Sequence, residues 1–170
     1  MVSLCCAVLQ TLRGHEHVVE SVSFGKKPVM TLVDEALGEA GAAAAAAGGE
    51  QEQTQTQQAE AQPFSYLVSG SRDKTVRLWE ALRGECLGVF SFHSNWVRAV
   101  RFHFSGKFII STSDDRSVKI VDIKEARCVR SIDDAHAHFV TCLAVPPPGA
   151  PQRVVLTGSV DKTVHVWGCY

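Results

Sequence analysis

The 170-residue sequence has no apolar run approaching the roughly 20 residues that a membrane-spanning helix needs. Its apolar start, Met1-Val2-Ser3-Leu4-Cys5-Cys6-Ala7-Val8-Leu9, has no basic flank before it, so no secretory leader is expected. The six cysteines (Cys5, Cys6, Cys86, Cys128, Cys142 and Cys169) include no C-x-x-C pair. Neither a disulfide framework nor a zinc site is therefore expected, and His136-Ala137-His138 alone does not supply the paired ligands. Charge of one sign is also missing, with a net of −1. Residues 1–63 hold three Lys/Arg against eight Asp/Glu, whereas residues 64–170 hold fourteen against ten. The second part is mildly basic. That suits an ordinary solvated surface or an acidic protein partner, but it lacks the clustered cations and aromatic platforms of nucleic-acid binders.

One short pattern is present three times. Ser69-Gly70-Ser71-Arg72-Asp73-Lys74-Thr75-Val76-Arg77-Leu78-Trp79-Glu80 returns as Ser111-Thr112-Ser113-Asp114-Asp115-Arg116-Ser117-Val118-Lys119-Ile120-Val121-Asp122. It returns again as Thr157-Gly158-Ser159-Val160-Asp161-Lys162-Thr163-Val164-His165-Val166-Trp167-Gly168. The three aspartates are 42 and 46 residues apart. A period near forty that ends in Trp-Asp-like pairs belongs to β-propeller blades. Cys86 and Cys128 are also 42 residues apart, so they share one repeat position, where a packing role is expected of reduced thiols.

A histidine precedes an alternating strand in each unit: His15 before Val18–Phe24, His93 before Val97–Phe102 and His136 before Val140–Val145. His-to-Asp spacing is 22 and 25 residues in the second and third units but 58 in the first. The excess is an insertion from Asp34 to Gln62, with an alanine run at 42–47 followed by Gly, Gln, Glu and Thr. It has almost nothing to bury, so it reads as a disordered loop between the first two strands of a blade. The organisation is then 1–33 for the first strands of repeat 1, 34–63 for the low-complexity loop and 64–80 for the rest of repeat 1. Repeat 2 is 81–122 and repeat 3 is 123–170.

Each unit reads as four short strands. In the second these are Glu85–Phe90, Val97–Phe102, Phe108–Thr112 and Ser117–Asp122, separated by turn residues such as Ser105-Gly106-Lys107. A first strand is expected at about Val8–Leu12. Pro146-Pro147-Pro148-Gly149-Ala150-Pro151 reads as a loop. Each aspartate falls in a tight turn, where its carboxylate can accept backbone hydrogen bonds. The His, Asp and Ser of one unit could suggest a hydrolytic triad, but a triad is not repeated once per blade, so a structural role is expected.

These units closely resemble the WD40 family. In that family the His, a Ser/Thr, the Asp and the Trp form a buried hydrogen-bond chain. The resemblance implies this role for His15, Asp73, Trp79, His93, Asp115, His136, Asp161 and Trp167. A half-made chain is costly, so it fixes the register of the blade. Val121 stands where the other units have tryptophan.

The segments between the motifs are similar to the lissencephaly-1 (nuclear distribution) family. They are Gly14-His15-Glu16-His17-Val18-Val19-Glu20, Leu67–Thr75, His93-Ser94-Asn95-Trp96-Val97-Arg98, Gly106-Lys107-Phe108-Ile109, His138-Phe139-Val140-Thr141 and Thr157–Val164. The resemblance implies an all-β, seven-bladed propeller, of which about three repeats are present here. It implies a non-catalytic scaffold without cofactor that binds cytoplasmic dynein. The processes implied are microtubule-based transport, nuclear positioning and cell division, in the cytoplasm and at the cytoskeleton, centrosome and spindle. Arg72 and Trp96 match the family's exposed contacts with the dynein heavy-chain motor domain. Acetylhydrolase catalytic subunits and nuclear-distribution coiled-coil proteins are further implied partners. Full-length members homodimerise through an N-terminal motif and coiled coil that these residues do not contain, so Met1 is expected to be an internal start or the start of a truncated product. A second reading is a structural WD40 subunit of another assembly, centriolar or ribonucleoprotein.

Overall fold

The computed structural model describes residues 8–25, 66–147 and 153–168. Eleven strands alternate with short turns, and no helix occurs among the described residues. They form three antiparallel sheets. The first is β1 (Val19–Phe24), β2 (Tyr66–Ser71), β3 (Val76–Glu80) and β4 (Glu85–Phe90), paired in that order. The second is β5 (Val97–Phe102), β6 (Phe108–Ser113), β7 (Val118–Asp122) and β8 (Arg127–Ile132). The third has β9 (Val140–Ala144), β10 (Val154–Ser159) and β11 (Val164–Gly168), with β10 between the other two. They are blades 1, 2 and 3 of a partial propeller, as the period of the repeats predicts.

Two expectations shift. Glu85–Phe90 does not open blade 2. It pairs with β3 as the outer strand of blade 1, through Glu80↔Glu85 and Val76↔Phe90. The sequence repeat and the physical sheet are out of phase by one strand, because Trp79–Glu80 and Glu85–Cys86 are joined by a tight turn. The Val8–Leu12 segment is not a strand. A strand needs a neighbour to take its hydrogen bonds, and this segment pairs with no strand among the described residues.

The insertion falls between β1 and β2, whose described ends are joined by Gly25 N–H donating to the Tyr66 carbonyl (2.8 Å). The conformation expected for residues 34–63 lies outside the described residues, as does most of the proline loop.

Two cores hold the blades face to face. Val68, Val76 and Leu78 of blade 1 meet Val97, Val100, Ile109 and Val121 of blade 2. Ala99, Ile110 and Val118 of blade 2 meet Leu143 and Val155 of blade 3. Full burial of each such side chain contributes about 1.5–3 kcal/mol. Gly70 is needed at the first seam: a Cβ there would lie 2.8 Å from Val97 Cγ1 and 2.9 Å from Val100 Cγ1. Thr112 takes the same place in blade 2, fully buried, and its hydroxyl has no hydrogen-bond partner.

The cysteines also depart from expectation. Cys86 and Cys128 do share a repeat position, but it lies on the outer strands, where Cys86 is exposed and Cys128 half-buried. The side chains of β4 divide between the two faces of the sheet, Phe90 being buried in the first core and Cys86 open to solvent. Cys86, Cys128 and Cys142 are all free thiols.

Candidate functional site

Each blade carries the same hydrogen-bonded turn between its second and third strands. In blade 1, Asp73 Oδ2 accepts from His15 Nδ1 (2.7 Å) and from the Glu16 N–H (3.1 Å). Its Oδ1 accepts from the Thr75 hydroxyl (2.6 Å) and N–H (2.9 Å). Blade 2 repeats this with Asp115, His93, Ser94 and Ser117. Blade 3 repeats it with Asp161, His136, Ala137 and Thr163.

A carboxylate only accepts, so Nδ1 of each histidine carries the proton. Nε2 then accepts from a hydroxyl: Ser69 at 2.6 Å, Ser111 at 2.8 Å and Thr157 at 2.8 Å. In blades 1 and 3 an indole completes the chain, Trp79 Nε1 donating to Ser69 and Trp167 Nε1 donating to Thr157, both at 2.8 Å. In blade 2 Val121 ends the chain and packs into the first core.

The electrostatics follow from these bonds. Burial pushes the Asp73 carboxyl up, but hydrogen bonds from Thr75, His15 and the Glu16 N–H outweigh it. The group is held well below the usual carboxylate range. Burial also raises Asp115, and His93 and Ser117 more than reverse it. At Asp161 the Thr163 hydroxyl leads, and the carboxyl again lies well below its ordinary range. Ser69, Ser111 and Thr157, the nucleophile-like members, are at most 3% exposed. No substrate reaches them, and their neighbours recur in every blade. The arrangement fixes turns. Among the described residues no group of His, Cys, Asp and Glu could hold a metal ion. Nor is any helix there long and apolar enough to cross a membrane.

A second constellation occurs once, at the seam of blades 1 and 2. Arg72 lies in the β2–β3 turn and Trp96 just before β5, and the structure brings them together. The Arg72 guanidinium sits 4.5 Å from the centre of the Trp96 ring. Arg98 stacks on the same ring at 5.1 Å. Arg72 Nε donates to Glu20 Oε1, which lies 3.5 Å from Arg98 Nη1. Arg98 Nε donates to Asp114 Oδ1 at 2.9 Å. That bond, working against desolvation and aided by the charges of Asp114 and Glu20, holds the Arg98 pKa above its ordinary value. The His17 ring lies 6.3 Å from the indole. Trp96 is half-buried rather than freely exposed, because two guanidinium planes cover part of it.

The backbone explains how these side chains reach the seam. The register of β1 against β2 shifts between Val19 and Ser21, and that of β5 against β6 between Val97 and Ala99. The extra residues in these bulges are Glu20 and Arg98. A bulge re-aims the side chain that it inserts.

Glu20, Arg98 and Asp114 were not among the residues singled out from the sequence. The signal was there in the alignment of the units: Glu20 with Arg72 in the first, Arg98 with Asp114 in the second, Thr141 with Val160 in the third. The charges invert between neighbouring blades and vanish in the last.

Comparison with known proteins agrees with this geometry. The sequence profile of the WD domain, G-beta repeat, matches residues 62–80, 84–122 and 126–168. The chain is 38% identical over 161 residues to the nuclear distribution protein PAC1 of Yarrowia lipolytica, covering 92% of this chain and 31% of that protein. It is 36% identical over 163 residues to the nuclear distribution protein nudF 1 of Talaromyces marneffei, covering 89% and 31%. It is 37% identical over 155 residues to a lissencephaly-1 homolog of Dictyostelium discoideum, covering 91% and 35%. The chain thus spans about a third of the length of the curated relatives that it matches. Three blades built on the repeat's hydrogen-bonded turn, and a profile match over more than half of the residues, show that this chain belongs to the WD40 family, among relatives of the nuclear distribution and lissencephaly-1 type.

Proposed function

We propose that the chain is a non-catalytic WD40 scaffold of the cytoplasmic dynein pathway and that it contacts the dynein motor domain through the Arg72–Trp96 seam. The observation that carries this reading is the Arg72 guanidinium on the Trp96 ring at the boundary of two blades. Arg and Trp dominate interface hot spots, where a large flat ring and a planar cation gain most from losing water. The seam is unrepeated, whereas the turn network is repeated and enclosed. A partner distinguishes one blade from another only through what is not repeated. The names of the relatives support nuclear distribution as the process, and the activity belongs at the cytoskeleton. Action at the centrosome and spindle, and contacts with acetylhydrolase subunits or coiled-coil nuclear-distribution proteins, are part of the same proposal by resemblance.

The test is equilibrium binding of the chain to a purified dynein motor domain. Trp96→Ala and Arg72→Ala are each expected to weaken it by about 1–3 kcal/mol. Circular dichroism should show the strand content unchanged. Equal affinity for wild type and both variants would remove this surface from the contact.

A further inference from the structure

The link from blade 2 to blade 3 (133–139) repeats the link from blade 1 to blade 2 (91–96). Each ends in an aromatic residue, Trp96 in the first and Phe139 in the second. Both links join two described blades, so the blade that each ring leans on is present.

One backbone device holds both residues. The Trp96 N–H donates to Asn95 Oδ1 (2.8 Å) and its carbonyl accepts from the Asp114 N–H (3.0 Å). The Phe139 N–H donates to His138 Nδ1 (2.8 Å) and its carbonyl accepts from the Val160 N–H (3.1 Å). The Ser159 hydroxyl also donates to the His138 carbonyl (3.2 Å). With both backbone groups bonded, neither ring is carried on a free loop. The His138 ring packs edge-on against Phe139, with centres 4.3 Å apart.

What covers the two rings differs, and residues inside the blades decide it. Arg72, in the blade 1 turn, and Arg98 both stack on Trp96, which is half-buried. The residue at the place of Arg72 in blade 2 is Asp114. Its carboxylate is bonded to Arg98 and has the wrong charge for the negative face of a ring. The residue at the place of Arg98 in blade 3 is Thr141, which carries no charge. Among the described residues no cation stacks on Phe139, and it is 37% exposed.

We propose that Phe139 is a second anchor for the motor domain held at the Arg72–Trp96 seam, a reading on which it rests, and that the motor domain meets both rings with one face of an α-helix. Spacing decides the shape of the partner. Packed sheets lie about 10 Å apart, so equivalent residues in neighbouring blades stand about that far apart. Residues i and i+7 of a helix share one face and are about 10.5 Å apart. On a strand the residues of one face are about 7 or 13 Å apart, so no pair of them matches the two rings. The helix that fits carries large aliphatic side chains at i and i+7. One lies on the open ring of Phe139, and the other on what Arg72 and Arg98 leave uncovered of Trp96. Rigid aromatic rings lose little freedom on binding, which suits them as anchors.

The test is equilibrium binding of the 170-residue chain to a purified dynein motor domain, with p-benzoylphenylalanine then placed at position 96 or 139 to cross-link the complex. Phe139→Ala should weaken binding about 5- to 30-fold. Its urea midpoint should match the wild type, because the bonds that hold the link run through the backbone and not through the ring. Val89→Ala, at a more exposed apolar residue on the outer strand β4, should change nothing. The two cross-linkers should mark one helix of the motor domain at sites about seven residues apart. They keep an aromatic side chain in place, so this result does not depend on how the alanine variant folds. If Trp96→Ala weakens binding and Phe139→Ala leaves it unchanged, the second anchor is wrong while the Arg72–Trp96 contact stands. If neither weakens it, that contact fails and the second anchor with it. Cross-links on a strand, or on two separate segments, would overturn the helix.

Discussion

Replacing Asp115 by alanine tests whether the repeated turn holds each blade together. Asp115 Oδ2 accepts from His93 Nδ1 (2.8 Å) and the Ser94 N–H (3.0 Å). Its Oδ1 accepts from the Ser117 hydroxyl (2.6 Å) and N–H (3.0 Å). Four bonds to one charged group do not add independently. The expected cost is better built from what is left behind. His93 and Ser117 are buried, so losing the carboxylate strands an imidazole N–H and a hydroxyl away from water. Each orphaned group costs about 1–3 kcal/mol, and the Ser94 N–H recovers water because Ser94 is exposed. The total is about 3–5 kcal/mol, a large part of the stability of a small domain. Urea unfolding followed by circular dichroism at neutral pH measures it. Asp115→Asn keeps one acceptor oxygen and should lose about half as much. Asp161→Ala should cost less than Asp115→Ala in this chain, because among the described residues blade 3 packs against another blade on one face only. A loss below about 1 kcal/mol for Asp115→Ala would refute the view that buried polar chains set blade register.

Stability should also fall in acid. The three turn carboxyls titrate below their ordinary range when folded, so their contribution is complete above about pH 4 and is lost as pH falls through the folded values. A urea midpoint that stays level from pH 5 to 2.5 would contradict this, and the Asp115→Asn variant should show a shallower decline. Thr112→Val removes a buried hydroxyl that has no partner while keeping the shape, so it should leave stability unchanged or raise it by up to about 1 kcal/mol in the same assay. Glu20→Gln should cost under about 1 kcal/mol, since its pairs with Arg72 and Arg98 are partly solvated. Asp114→Asn, buried at 4% exposure against Arg98, should cost about 1.5–3 kcal/mol, and the reverse order would show that burial does not govern this network. Gly70→Val should destabilise by about 1–3 kcal/mol through collision with Val97 and Val100, and it should weaken motor binding without touching Arg72 or Trp96.

Much of the fold was legible because a repeat is read three times. One Ser-x-Asp-x-Thr/Ser turn is ordinary sequence, but three in phase with three histidines define a period, and the period defines blades. The strands around Val97 and Val118 were readable from alternation alone. What was not readable came from contacts across sheets. The assignment of Glu85–Phe90 to the preceding blade depends on a tight turn after Glu80, and no periodicity within the strand reveals it. Val8–Leu12 has the apolar content of a strand but pairs with none among the described residues. The exposure of Cys86, on the same strand as the buried Phe90, depends on which part of β4 another sheet covers, which a repeat alignment does not show. At the seam, Arg72 and Trp96 were visible as types, but their stacking depends on two bulges that bring in Glu20 and Arg98.

The one-strand offset between repeat and blade has a structural consequence that joins these findings. The matched segment 84–122 begins with β4, which belongs to blade 1, and continues with β5 to β7 of blade 2. Each repeat therefore closes one blade and opens the next. The link between the two, from Ser91 to Trp96, is short, and it carries both His93 and Trp96. His93 ties that link to the turn of blade 2 through Asp115, and the Trp96 carbonyl accepts from the Asp114 N–H at 3.0 Å. The indole is thus anchored to blade 2 by its backbone and to blade 1 by Arg72. Arg72 is held in turn by its own N–H to the Val18 carbonyl at 2.9 Å. Neither residue could be placed by one blade alone. The distance between them is set by how closely the sheets approach, which is set by Gly70 beneath Val97 and Val100. A partner that reads the Arg72–Trp96 pair therefore reads the packing of two blades, and it meets a surface whose geometry exists only when both have folded.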